Sequence, residues 1–176
     1  MTEALSVSAA PWRVLSVQPR ADGDKMNLQD RTIHLVDLEN LSGEAFAGPA
    51  VTRRAIDTYL HLADWRVGDK VTIVTNRLHA RTAVFEIPPI AHTFHPSPAG
   101  VDAADHVLIA HADVDLIEQQ RFGRLVIGSG DHIFAGLAAA AMRAGVEVWI
   151  IGRYSSIARE LRETASQTRH MTTTSS

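Results

Sequence analysis

The sequence predicts one three-layer α/β/α domain around a mainly parallel sheet of about five strands. Three observations carry that prediction. Short apolar, β-branched runs recur along the chain at Ile33 to Leu38, Lys70 to Thr75, Arg124 to Gly128 and Val146 to Ile151. Segments of helical spacing or alanine-rich composition separate them, and parallel neighbours need such crossovers. The runs are continuous rather than alternating, as suits strands covered on both faces.

The elements follow in order. Residues 1–30 hold Trp12, Val14, Leu15 and Val17 without a sustained period, then the polar run Arg20 to Lys25, and are expected to form a partly ordered arm. The domain is expected over residues 31–165. After the first strand, Pro49 to Asp64 spaces Val51, Ala55, Ile56, Tyr59, Leu60 and Ala63 as a helix, with Pro49 in its first turn. The second strand follows a Gly68-Asp69 turn, and a short helix is placed over Leu78 to Phe85. Ala91 to His95 is expected as a third strand, and Pro96 to Gly100 as a loop. Asp102 to Gln119 reads as a helix, as does Ile133 to Ala144, which stops at Gly145. A last helix, Ser155 to Arg162, is expected to start on a serine cap. From residue 166 the Ser, Thr and His content predicts a flexible tail.

Composition narrows the function. The 176 residues suffice for one core and not comfortably for two. A net charge of −3 argues against a protein that coats nucleic acid by bulk electrostatics. Cysteine is absent, which excludes disulfides, zinc–thiolate sites and thiol nucleophiles. The apolar stretches are strand-length, so a cytoplasmic protein without a membrane segment is expected.

Aspartates carry the chemistry. Asp37 ends the first apolar run, and Asp131 follows Arg124-Leu-Val-Ile-Gly-Ser-Gly at the start of a helix. Asp102 and Asp105 are three apart and share one face of the helix they open. Each has a bland alternative as a cap or a dipole-complementing charge. In an open α/β sheet, however, the strand carboxyl ends converge on one crevice. Acids delivered there from three segments need a cation between them, which points to a divalent metal and phosphoester chemistry. Asn40 is placed to bond Asp37 or a phosphate, whereas Glu39 alternates away and reads as a solvated group. Ser129 and Gly130 would let an ion or substrate approach the backbone.

The remaining candidates are weaker. Arg77, Arg81 and Arg153 follow strands and suit phosphate-backbone contacts, with His79, Arg53 and Arg54 nearby. His92 and His95 point to opposite faces of a strand; His106 and His132 adjoin acids; Asp113 and Asp115 read as solvated. Gly128-x-Gly130 is not a dinucleotide turn, because the third glycine position is Ile133.

Leu35-Val-Asp-Leu-Glu-Asn-Leu41, Gly100-Val-Asp-Ala-Ala-Asp105, Leu125-Val-Ile-Gly-Ser-Gly-Asp131 and Gly145-Val-Glu-Val-Trp149 together resemble NYN domains of the PIN-like nuclease superfamily, over about residues 31–165. The resemblance implies the same three-layer fold and RNA cleavage dependent on Mg²⁺ or Mn²⁺. By motif, Asp37 matches the strand-one acid, Asn40 the asparagine after it, Asp102 or Asp105 the middle-helix acid, and Asp131 the acid of Ser-Gly-Asp. Many members carry a second aspartate two residues further on, where this chain has Ile133.

The expectation is therefore a metal-dependent ribonuclease. Asp37, Asp102, Asp105 and Asp131 are the catalytic set, and Asp37, Asp105 and Asp131 the metal ligands. Asn40, Ser129, Arg77, Arg81 and Arg153 are the substrate contacts. RNA, single-stranded or structured, is the partner, and homodimerisation stays open. The alternative is a catalytically weak or inactive RNA- or protein-binding module, motivated by Ile133. A phosphorylated receiver-like domain is a third reading, disfavoured because acids are not paired after the first strand and no lysine follows the last.

Overall fold

A computed structural model describes residues 31–100, 102–112 and 122–172. Six strands form its sheet: β1 (Thr32–Asp37), β2 (Lys70–Asn76), β3 (His92–Ser97), β4 (Arg124–Gly128), β5 (Glu147–Arg153) and β6 (Gln167–Met171). Their spatial order is β3-β2-β1-β4-β5-β6, and every pairing is parallel. All six carboxyl ends therefore open on one edge. The helices are α1 (Leu38–Ser42), α2 (Pro49–Leu62), α3 (Arg77–Ala83), α4 (Ala103–His111), α5 (Ala135–Arg143) and α6 (Arg159–Glu163).

Period-two alternation divides the strand side chains between two cores. Ile33, Leu35, Leu125, Ile127, Val148 and Ile150 pack with Leu108 of α4, Ala138 of α5 and Leu161 of α6. On the other face Val36, Ile73, Val126 and Ile151 pack with Leu38 of α1 and Ile56 and Tyr59 of α2. Each such fully buried side chain contributes about 1.5–3 kcal/mol of transfer free energy. The three-layer expectation holds.

The chain steps outward from β1 through β2 to β3, then returns to place β4 on the other side of β1. The crevice between the β1 and β4 ends is thus the topological switch point, where open α/β sheets bind ligands. Receiver domains use a different strand order, 2-1-3-4-5, which removes that reading. The order found here is the one used by dinucleotide-binding sheets. Their glycine turn after the first strand is replaced here by Asp37-Leu-Glu-Asn, whose charge would repel a pyrophosphate.

Several boundaries differ from the sequence reading. Within the expected flexible tail, residues 167–171 form β6, and residues 173–176 lie outside the described residues. Arg169 and Arg124 each stack over the Trp149 ring at 3.8 Å from its centroid, Met171 is buried, and Ser166 N donates to Val148 O at 2.8 Å. β3 runs through Pro96 to Ser97, which an edge strand tolerates. The last helix opens at Arg159 after Ala158, not on a serine; Ser156 Oγ instead donates to Arg153 O at 3.0 Å in the preceding turn. The helix expected over Leu78 to Phe85 is α3 plus a 3₁₀ turn at Val84–Glu86, and another such turn, His132–Phe134, precedes α5. Helix α1 has no counterpart in the sequence reading. Residues 1–30, including the expected arm, and Asp113 and Asp115 lie outside the described residues.

At the opposite, amino-terminal end of the sheet a polar network is fully enclosed. His34 bonds Tyr59 OH at 3.1 Å and Asp69 Oδ2 at 3.3 Å, while Asp69 also accepts from Thr32 N and Arg66 N at 2.9 and 2.8 Å. Burial lowers the His34 pKa, so the ring is held neutral. Buried polar groups with partners avoid the cost of desolvation, and this set ties β1 to the β2 approach and to α2.

Candidate metal centre

Asp37 is the last residue of β1 and the N-cap of α1. Its Oδ1 accepts from Glu39 N at 3.0 Å and from Asn40 N at 3.1 Å. The carboxylate expected at the site is therefore also the cap of α1. Burial pushes its pKa up to about 7, against the pull of the Asn40 N–H and with help from the nearby Asp105 charge.

The middle-helix acids arrive differently. Asp102 occupies the N-cap position of α4 in the left-handed region, at φ 56°, and makes no side-chain cap bond. Its carboxylate is thereby released from the helix it precedes. Asp105, one turn inside α4, is buried, and its Oδ1 has no hydrogen-bond partner among the described residues. Its pKa is raised to about 6, first by burial and then by the charges of Asp131 and Asp102. Asp131 leaves the β4 end and caps the 3₁₀ turn through Ile133 N, which donates to Oδ1 at 3.0 Å.

Carboxylate oxygens of Asp102, Asp105 and Asp131 all lie within 4.8 Å of one another. At that separation and an effective dielectric of about 20, an ionised pair repels by about 3.5 kcal/mol before solvent and salt screen the exposed members. A divalent cation turns this repulsion into ligation, and three carboxylates are the donors that hard cations prefer. The orphaned Asp105 oxygen fits the same donor set. Of the ligands expected from sequence, Asp105 and Asp131 lie in this group together with Asp102, while Asp37 is outside it and is coupled to it through the Asp105 charge.

Side chains around the acids hold the turns that carry them. Asn40 Oδ1 accepts from Gly130 N at 3.0 Å, and Asn40 O accepts from Arg153 Nε at 3.1 Å. Glu39 is not a solvated group; it accepts from Asn76 N and, at 3.4 Å, from Thr75 Oγ1, pinning the β2 end. Ser129, expected to meet substrate, is fully buried, and its Oγ accepts from Asp131 N at 3.2 Å within the turn. Gly130 is needed for a neighbouring backbone, not for a ligand: a Cβ there would sit 2.2 Å from Ser156 O.

His132 is exposed and its Nδ1 lies 3.0 Å from Asp131 Oδ1. His79 is buried between Thr52 and Thr75 hydroxyls, each at 3.0 Å, and has no face for a ligand. Arg77 and Arg81 are exposed on α3 beyond the β2 end. The sequence signal for the Asn40 role was present in Asp37-x-x-Asn40, a cap residue followed by the first helical turn; nothing in the sequence marks Glu39 as a clasp on β2.

The model of the NYN domain matches residues 21–172, most of the chain. The chain belongs to the NYN domain family. Its fold is accordingly that of PIN-like nucleases, and an acidic cluster occupies the switch point of this NYN domain. A crystal structure of a protein of unknown function from Vibrio parahaemolyticus is similar, with TM-score 0.58 and 14% identity over 85% of this chain and 97% of that one. That likeness concerns the fold. No curated protein matches the chain. In this NYN domain Ile133, at the position where many members carry a further aspartate, packs against the core shared by α4, α5 and α6. Among the described residues no helix is long and apolar enough to cross a membrane.

Proposed function

We propose that this NYN domain is a ribonuclease that hydrolyses RNA phosphodiester bonds with Mg²⁺ or Mn²⁺. The observation that carries the reading is the mutual approach of Asp102, Asp105 and Asp131 within 4.8 Å around a buried, unpartnered Asp105 oxygen. These three residues would hold the ion, with Asp37 at its margin. Such an ion, when bound, lowers the pKa of a water and offsets charge on the reacting phosphate.

The chain supplies the rest. Asp37 spends Oδ1 on two cap bonds and keeps Oδ2 to accept a proton from an attacking water, a task suited to a group poised near neutrality. Arg153, fixed through Nε on Asn40 O, offers its remaining guanidinium N–H groups to a phosphate. Asn40 keeps its amide NH₂ for the same purpose. Arg77 and Arg81 extend positive charge along the rim, where the phosphate backbone would pass. The cytoplasm, with its RNA, is the expected setting.

The test is cleavage of labelled RNA in Mn²⁺ by the wild type and by Asp105→Asn. The wild type should cleave and Asp105→Asn should lose at least about 100-fold in rate; equal rates would remove the cluster from the mechanism. Ile133 motivates a second reading, a silent RNA-binding module. Its signature is RNA binding that survives EDTA with no cleavage in any divalent metal.

A further inference from the structure

The carboxyl edge continues past the acids to β5 and β6, where Gly152 pairs with His170 and Arg153 with Met171. Tyr154 follows directly. Its side chain is 80% exposed, and its ring meets that of His170, also exposed, at 4.9 Å between centroids and 59° between planes. Among the described residues Tyr154 is the most exposed of the large apolar side chains, and it lies on the ligand-binding edge of the sheet.

The exposure is not that of a loose loop. Ser156 N and Oγ both bond Arg153 O at 3.0 Å, and Ala158 N donates to Gly130 O at 2.8 Å. The segment carrying Tyr154 is therefore clamped to the glycine that precedes Asp131. Two strand spacings, about 10 Å, separate the β4 and β6 ends, so the aromatic pair lies within a few nucleotides of the acids along this edge. Arg153 stands between them. Its Nε is taken by Asn40 O, and no acceptor holds its terminal N–H groups among the described residues.

We propose that Tyr154 and His170 form a base-stacking platform that seats one unpaired nucleotide beside the acids of this site. The inference rests on the ribonuclease reading and adds a base-contacting subsite to it. With a phosphate on Arg153, the adjoining nucleotide can lay its base on the Tyr154 ring. Only an unpaired base has that face free; in a duplex both faces are covered by neighbours and recognition falls to shape and backbone. Stacking on a rigid aromatic ring tolerates any base, so the platform selects for strandedness rather than sequence.

The experiment measures binding of a labelled oligouridine and of a blunt-ended RNA duplex by fluorescence anisotropy in EDTA, alongside cleavage of the same RNAs in Mn²⁺. Tyr154→Ala should weaken oligouridine binding about tenfold, as expected for loss of one stacked base, and raise KM similarly. Tyr154→Phe should retain wild-type affinity, and the duplex should bind all three proteins alike. An oligouridine affinity unchanged in Tyr154→Ala overturns the platform while leaving wild-type cleavage, and the ribonuclease reading, intact. Equal weakening for oligouridine and duplex also overturns it. A wild type that neither binds nor cleaves RNA overturns both.

Discussion

Asn40 Oδ1 accepts the backbone N–H of Gly130 at 3.0 Å, joining the β1–α1 corner to the turn that presents Asp131. The same residue takes Arg153 Nε on its carbonyl. Three strand ends are thereby fixed by one side chain and its backbone. The spacing of the acids depends on this clasp as much as on the acids themselves.

Asn40→Ala should cost about 1–3 kcal/mol of stability, since it leaves the part-buried Gly130 N–H without an acceptor. The acids remain, yet Asp131 loses its fixed position, and a misplacement of about 1 Å is worth up to about 100-fold in rate. Thermal melting and Mn²⁺-dependent cleavage check both effects. Wild-type Tm and rate together would refute the clasp.

Gly130→Ala should be more damaging than a glycine change in an open loop. The new Cβ would meet the backbone of Ser156 and Ile157, at 2.2 Å from Ser156 O, and the main chain must move. Overpacking of this kind costs about 1–3 kcal/mol or more. Gly136→Ala, which meets nothing within 4 Å inside α5, is the control and should be neutral or stabilising.

Asp102→Gly should separate strain from charge. Glycine adopts a φ of 56° without penalty, so apo stability should rise by about 1 kcal/mol. Removing the Asp102 charge also lowers the Asp105 pKa from about 6, because Asp102 is one of the charges raising it. Carboxyl NMR titration reads the second effect, and Mn²⁺ affinity should fall with the lost donor. An Asp105 pKa that stays put would contradict the cluster geometry.

Without divalent metal, stability should decline as pH rises from about 4 to 7. Asp37 and Asp105 ionise at about 7 and about 6 in the folded chain, against an ordinary 3.8. Across that interval the folded state holds protons the unfolded chain has released, and stability falls where the native state binds more protons. Divalent cations compete for the same oxygens, so MnCl₂ should raise Tm more at pH 8 than at pH 5. A Tm in EDTA that climbs between pH 5 and 7 would contradict the burial of these carboxylates.

Much of this architecture was legible because both-face burial writes itself as apolar runs. Ile33 to Val36, Arg124 to Gly128 and Val146 to Ile151 locate three adjacent strands, and Pro49 marks the first residue of α2. The edges of the sheet were harder. Gln167-Thr-Arg-His-Met171 is polar because only one of its neighbours is a strand, and its stabilising contact, Arg169 on Trp149, depends on a partner 20 residues earlier in sequence. Acids were found by position at strand ends, but which of them cluster was not, since the left-handed turn at Asp102 decides it and aspartate does not announce that conformation. The bracing roles of Ser129 and Asn40 were not legible, because residues that brace a turn have the same small polar chemistry as residues that touch a ligand.

The cluster draws on stretches of chain far apart, the bond from Asn40 to Gly130 alone spanning 90 residues. Synthesis proceeds from the amino terminus, so Asp37 emerges from the ribosome long before Asp131. Until β4 is released and inserts beside β1, no assembled acidic centre exists. The acids of α4 therefore wait for the one that β4 delivers, and the centre forms only when both sides of β1 are occupied.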